Sequence, residues 1–278
     1  MRRRRKLAGK RVLVTGCSSG IGRELCLKLV NRGAHVLATA RREDRLDQLQ
    51  RQVESRGRDG SADSAGTLAV LAGDICDPTF RISLIAFCQT RWQGLDILVN
   101  NAGVGGIGLF SDADDDRLRL IMEVDFFSAV DLTRLALPLL RQGDKPAILN
   151  VGSVLSHRST PLKSEYCAAK FALRGWSEAL RVELMREGID VLMLSPSTTK
   201  SEFFDSLVAT DPGQKSASIG SMSTDDVADA AVKVLVHSKR DLVLTVGGKF
   251  LVWAGRLIPG LTDRLLARFG MPSVDARS

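Results

Sequence analysis

Lys10 to Gly33 reads KRVLVTGCSSGIGRELCLKLVNRG, and this stretch decides the fold. A short apolar β-run, Lys10 to Thr15, enters a turn holding Gly16, Gly20 and Gly22, and a helical pattern from Arg23 to Arg32 stops at Gly33. Strand, glycine turn and helix together make a glycine motif informative. Glycine is needed where backbone turns tightly or approaches a pyrophosphate, and a helix amino end offers that group free N–H donors and a positive dipole. A plain glycine-rich turn is the competing explanation, and the spacing TGxxxGxG between strand and helix disfavours it.

Working outward, His35 to Ala40 is the second strand. In dinucleotide folds an acid about 20 residues past the glycines takes the ribose hydroxyls of NAD, whereas an arginine accommodates the extra phosphate of NADP. Thr39 stands where the acid belongs and Arg41 and Arg42 follow it, so NADP(H) is favoured over NAD(H). The alternative is two solvated arginines opening the polar helix Glu43 to Arg56. After a loop, Gly57 to Gly66, the third strand (Thr67 to Ala72) ends in Gly73 and Asp74. Asp74 is placed to bond an adenine amino group with Ile75 on the ring, or to cap the helix that starts near Pro78. The fourth strand, Leu95 to Val99, leads into Asn100, Asn101, Ala102 and Gly103, small residues and amides suited to close backbone approach by a cofactor.

A long helical pattern, Leu118 to Arg141, contains Asp125; a fifth strand follows at Ala147 to Val151 and a sixth at Ile189 to Leu194. A long loop, Ser195 to Met222, is a natural substrate lid, and it is followed by a helix, Asp225 to His237, and a last strand, Asp241 to Val246. Such alternation predicts an α/β fold with a parallel sheet covered on both faces and right-handed crossovers.

Between the fifth and sixth strands lies SVLSHRSTPLKSEYCAAK, Ser153 to Lys170, which holds Tyr166, the single tyrosine of the chain. If Ser164 to Glu187 is a helix, Tyr166 and Lys170 share one face, one turn apart. A cation held there is expected to pull the phenol down from its usual value near 10 towards neutrality. Ser153 closes a strand at the end where open α/β sheets place ligands. Ser, Tyr and Lys can bind a carbonyl oxygen, protonate it and tune the donor, the equipment for ketone reduction or alcohol oxidation. YxxxK alone is common in helices as a half-buried ring beside a solvated lysine; the glycine turn upstream tips the balance to chemistry.

With 278 residues, 44% hydrophobic and 26% charged, the composition is that of a globular protein. Much of the net charge of +7 sits in Arg2 to Lys6, expected to be a solvated, mobile end, and the scarcity of aromatics argues against nucleic acid as a partner. Five cysteines without a CxxC suggest reduced thiols in a cytoplasmic protein. No signal segment, spanning helix or metal site is expected.

TGCSSGIG, NNAG at Asn100 to Gly103, Ser153 and YCAAK at Tyr166 to Lys170 stand in the order and approximate spacing of the short-chain dehydrogenase/reductase family, which residues 7 to about 248 resemble. The resemblance implies a three-layer Rossmann-type, doubly wound parallel sheet of about seven strands in one domain, residues 1–248. It further implies Tyr166 as general acid or base, Ser153 orienting the substrate oxygen, and Lys170 binding the nicotinamide ribose and lowering the tyrosine pKa. Gly16, Ser18, Ser19, Gly20, Ile21 and Gly22 would hold the pyrophosphate; Asp74, Ile75, Asn101, Ala102, Gly103 and Pro196 would line the rest of the cofactor site. A homodimer or homotetramer acting on a small carbonyl or alcohol is expected, with a nucleotide sensor or scaffold as the alternative. Three departures stand out: Asp125, within EVDFFS, at the usual asparagine of a proton relay; Ser156 where glycine often follows the serine; and Ser197 after Pro196, with Ser201 where threonine is common.

Residues 249–278 form a C-terminal extension, and Gly247 to Gly270, GGKFLVWAGRLIPGLTDRLLARFG, is apolar and basic together and broken at Pro259. A pair of short amphipathic helices is predicted, lying on a membrane surface, covering the substrate pocket or joining a second subunit.

Overall fold

The computed structural model describes residues 4–58, 66–200, 202, 207–208 and 221–270. Most of the Gly57 to Gly66 loop, most of the expected lid including Ser201, Arg2 and Arg3, and the tail beyond Gly270 lie outside the described residues. The strands are β1 (Arg11–Thr15), β2 (His35–Ala40), β3 (Thr67–Ala72), β4 (Ile97–Asn100), β5 (Ala147–Val151), β6 (Asp190–Ser195) and, after a small ladder of β7 (Thr199–Lys200) with β8 (Met222–Ser223), β9 (Asp241–Val243). All seven strands of the main sheet run parallel, in the order β3-β2-β1-β4-β5-β6-β9. Their near-continuous apolar runs are what a parallel sheet covered on both faces requires.

Alternation along β1 assigns the faces. Val12 and Val14 pack with α1 (Gly20–Val30), α2 (Glu43–Arg58) and α7 (Thr224–His237). Leu13 packs with α3 (Pro78–Trp92), α5 (Ser128–Leu140) and α6 (Ser164–Glu183). The strand order reverses between β1 and β4, so the crevice for ligands opens at their carboxyl ends.

The long helix expected over Leu118 to Arg141 starts earlier and is not uniform. It runs as α4 (Asp115–Met122), a π turn at Glu123–Phe127, and α5. Asp114 caps it by accepting from the Arg117 N–H at 2.8 Å. The last strand ends at Val243 instead of Val246, because Val246 already belongs to α8 (Val246–Leu257), whose Thr245 cap accepts from the Gly248 N–H at 3.0 Å. Helix α9 (Pro259–Gly270) follows at the predicted break.

The amino ends of the strands correct one expectation. Arg5, assigned to a solvated end, is buried, with its guanidinium on Asp190 at 2.8 Å and its Nε on the Lys145 carbonyl at 2.8 Å. Its sequence neighbours Arg4 and Lys6 are exposed and balanced for solvent, but a charge with this many acceptors can be buried.

Candidate active site

At the carboxyl ends of the strands lies a cavity of about 1210 Å³. Its floor is the glycine turn. Gly16 has a φ of 73°, and a Cβ at Gly22 would stand 2.3 Å from the Gly16 carbonyl oxygen, so both positions need glycine. Asn101 donates from Nδ2 to the carbonyls of Thr15 and Gly16 at 2.9 and 3.1 Å. Thr15 Oγ1 accepts from the N–H groups of Asn101 and Ala102, both at 3.0 Å. The Asn101 amide is therefore spent on bracing the turn, and Asn101, Ala102 and Gly103 line the cavity.

Ser19 opens α1 without a side-chain cap, which leaves first-turn N–H groups beside Gly20 and Ile21 for an anion. Arg42 explains why: its Nη2 reaches Ser18 Oγ at 3.0 Å and Ser19 Oγ at 2.9 Å, while Nη1 pairs with Glu202 at 3.0 Å. Arg41 is exposed at the same wall. Thr39 contributes a buried Oγ1 without a hydrogen-bond partner. A glycine cradle, an uncapped helix end, two arginines and an orphan hydroxyl fit a nicotinamide dinucleotide. Asp74 lines the cavity and accepts from the Cys76 N–H at 2.9 Å; the helix-capping alternative belongs to Asp77, which accepts from the Thr79 N–H at 2.8 Å. Ile75 lines the same wall.

Across the cavity, Ser153 lies two residues past the end of β5 and accepts through Oγ from the Leu155 N–H at 3.0 Å. Ser156 returns the contact, accepting from the Ser153 N–H at 3.0 Å. The serine that replaces glycine there is buried and builds the tight turn that holds Ser153. The Pro196 carbonyl anchors the same turn through the Val154 N–H at 2.8 Å. Tyr166 and Lys170 point the same way from α6, with Lys170 Nζ 5.5 Å from the ring centroid. Lys170 Nζ also lies 3.0 Å from Asp125 Oδ2 and 3.4 Å from the Val151 carbonyl. Asp125 sits in the π turn and accepts on Oδ1 from the Val104 N–H at 2.7 Å. Such an extra residue in a helix re-aims side chains and is frequent at functional sites.

The electrostatics correct the expectation of an acidic phenol. Burial pushes the Tyr166 phenol up; Lys170 and a hydrogen bond with the Ser153 side chain pull it down, Asp125 pushes it further up, and the net direction is upward. Burial likewise raises the Asp125 carboxyl, against Lys170 and the Val104 N–H. Burial alone would lower the Lys170 ammonium, but Asp125 and Tyr166 hold it above its ordinary value. The ammonium one turn along is real, yet its field is shared with a carboxylate.

Two features escaped the sequence, and a third settles one of its alternatives. Thr15 looked like the end of a strand, and its hydroxyl bolts two loops together. Arg117 and Glu165 form a buried pair, Nε to Oε1 at 3.0 Å, bracing α4 against the first turn of α6 beside Tyr166; neither lies in a motif. Helices α8 and α9 supply one wall of the cavity through Phe250, Leu251, Ala254, Leu261 and Leu266, so the extension covers the pocket.

Residues 10–212 match the family model described as short chain dehydrogenase. The chain belongs to the short-chain dehydrogenase family. Its relatives include the uncharacterized oxidoreductase YxnA of Bacillus subtilis, 31% identical over 95% of this chain and 73% of that one. The uncharacterized oxidoreductase YbbO of Escherichia coli K12 is 31% identical over 94% of this chain and 95% of that one. The solved structure of a short chain dehydrogenase from Burkholderia cenocepacia J2315 in complex with NADP superposes with a TM-score of 0.75 at 28% identity, covering 88% of this chain and all of that one. As a short-chain dehydrogenase the chain is an oxidoreductase of CH–OH groups with the Rossmann-type fold, and its family binds nicotinamide cofactors.

Proposed function

We propose that this short-chain dehydrogenase is an NADP(H)-dependent carbonyl reductase and alcohol dehydrogenase in which Tyr166 moves the proton. The observation that carries this reading is Tyr166 on the cavity wall with Ser153 and Lys170 around it, facing the glycine cradle. Arg41 and Arg42 beside Thr39, and the NADP held by the Burkholderia relative, support the phosphorylated cofactor. When bound, that cofactor supplies or accepts the hydride. Ser153 and Tyr166 hydrogen-bond the substrate oxygen and fix its orientation. A phenol held above its ordinary value stays protonated at neutral pH, so Tyr166 has a proton to donate as the substrate oxygen gains charge. Lys170 stabilises the phenolate left behind, and Asp125 keeps Lys170 charged. Exposed Phe127 and Leu135 on the α4–α5 side and Phe171 on α6 support a homo-oligomer.

The test is Tyr166→Phe with NADPH and a panel of aldehydes and ketones. Turnover is expected to fall by roughly a thousandfold while NADPH affinity is kept. Wild-type protein that binds NADPH and reduces nothing in the panel would favour a nucleotide sensor, and full turnover in the variant would remove Tyr166 from the chemistry.

A further inference from the structure

Helices α8 and α9 give apolar side chains to the cavity wall and, along the edge of that wall, to solvent. Val246, Phe250, Trp253 and Leu257 form a stripe at positions i, i+4, i+7 and i+11 of α8, exposed at 85%, 65%, 59% and 58%. Leu261, Leu265 and Phe269 continue it along α9 at i, i+4 and i+8. Four of these seven, Phe250, Leu261, Leu265 and Phe269, also line the cavity, so the stripe forms the rim of its mouth. Large side chains exposed in one contiguous band mark a surface that meets something apolar.

Charge decides what it meets. The two helices carry exposed Lys249, Arg256, Arg264 and Arg268 against a single acid, Asp263, which is itself paired with Arg158. A second copy using the same patch would bring these cations against their own images, because a two-fold interface faces itself. An anionic lipid surface takes the apolar stripe into its acyl boundary and the basic residues among its head groups. Each helix has 12 residues, and no described helix is long and apolar enough to cross a membrane, so the pair lies on the surface.

We propose that α8 and α9 dock on an anionic bilayer and that the cavity draws an apolar, lipid-soluble carbonyl or alcohol from it through the rim. The substrate half of this inference rests on the redox reading above; the docking half does not. The apolar wall facing the cavity matches such a substrate, since it offers a long hydrocarbon surface and few polar partners.

The experiment co-sediments the full chain with vesicles of phosphatidylcholine alone and of phosphatidylcholine with phosphatidylglycerol. It compares the wild type with Trp253→Glu/Leu257→Glu and with Lys249→Glu/Arg256→Glu, residues that are exposed and outside the cavity lining. In parallel, NADPH oxidation is followed with nitrobenzaldehyde in buffer and with hexadecanal carried in the vesicles. The wild type is expected to sediment with the anionic vesicles and each variant to lose roughly tenfold or more in partitioning. Turnover of vesicle-borne hexadecanal should fall in step, with nitrobenzaldehyde turnover unchanged. Wild type left in solution, variants that bind equally, or a dimer in buffer that the variants dissolve would each overturn the docking. Vesicle binding as expected with neither aldehyde reduced would uphold the docking and overturn the substrate half together with the redox reading.

Discussion

The two ends of the sheet handle charge in opposite ways. At the amino ends, buried charges have dedicated partners: Arg5 with Asp190 at 2.8 Å, Lys10 with Asp144 at 2.6 Å, Arg11 with Asp96 at 2.9 Å. At the carboxyl ends, besides the buried Arg117–Glu165 pair, polar groups are shared or left open: buried Lys170 serves both Asp125 and Tyr166, exposed Arg42 serves Ser18, Ser19 and Glu202, and the buried Thr39 Oγ1 has no partner. Dedicated pairs fix strands in place; shared charges can respond when a ligand or a proton arrives. The difference separates stability from chemistry along one molecule, and each end can be broken without the other.

The largest effect is expected at the carboxyl end. Gly22→Ala places a Cβ 2.3 Å from the Gly16 oxygen and 2.5 Å from Asn101 Nδ2, so the turn must open. Overpacking of about 3 kcal/mol at the cradle corresponds to NADPH affinity lower by roughly a hundredfold. Fluorescence titration measures it, and wild-type affinity in the variant would show that the turn does not cradle the cofactor. Asp96→Asn attacks the amino end. Asp96 accepts from the Arg11 N–H at 2.8 Å, Arg11 Nη2 at 2.9 Å and the Asp144 N–H at 2.7 Å. Breaking this buried pair should cost about 3 kcal/mol in thermal or urea unfolding and leave kcat unchanged. Burial would raise the Asp96 carboxyl, but the Arg11 bonds hold it below its ordinary value, so its stabilisation is present above about pH 4 and lost as pH falls further. A variant with lowered kcat and unaltered stability would reverse the assignment of the two ends.

His157 sharpens the contrast because it titrates in a different window. Burial lowers it to about 4, with Arg174 and Arg256 adding to the effect, and its Nε2 lies 2.9 Å from Ser195 Oγ. The unfolded chain takes up this proton near pH 6.5 and the folded one does not, so stability should decline as pH drops from 6.5 to about 4. The loss is at most about 3 kcal/mol. Asp96 and Asp144 at the amino end are held below their ordinary values, so their contribution is lost at lower pH than that of the histidine. His157→Gln should flatten the stability profile over that interval; an unchanged slope would assign it elsewhere.

Where the backbone dictates the residue, the sequence was legible. Gly16 and Gly22, the alternating strands and the Pro259 break gave the layers, the cradle and the two terminal helices, and the Tyr166 to Lys170 step gave the shared helix face. Helix ends, the π turn at Asp125 and the burial of Arg5 were not legible. They depend on partners far away in the chain, such as Asp190 for Arg5 and Lys170 for Asp125. The direction of the Tyr166 shift was misread for the same reason: four residues of spacing reveal the ammonium, and only the fold reveals how deeply the ring is buried.

Asp125→Asn tests whether sharing the charge matters. The amide oxygen can still accept from the Val104 N–H, so the π turn should survive and thermal unfolding should move little. The variant removes one of the influences that raise Tyr166 and leaves the Lys170 ammonium, which lowers it, without its competitor. The phenol pKa should therefore fall. In the proposed mechanism alcohol oxidation uses the deprotonated tyrosine, so it should gain activity at lower pH, and the alkaline limit of carbonyl reduction should move down with it by about one pH unit. Parallel movement of both limbs is the signature of a changed tyrosine, because a merely loosened site would lower both rates without shifting either limb. Limbs that stay in place would mean that Asp125 holds Lys170 in position and leaves the acidity of Tyr166 to its burial.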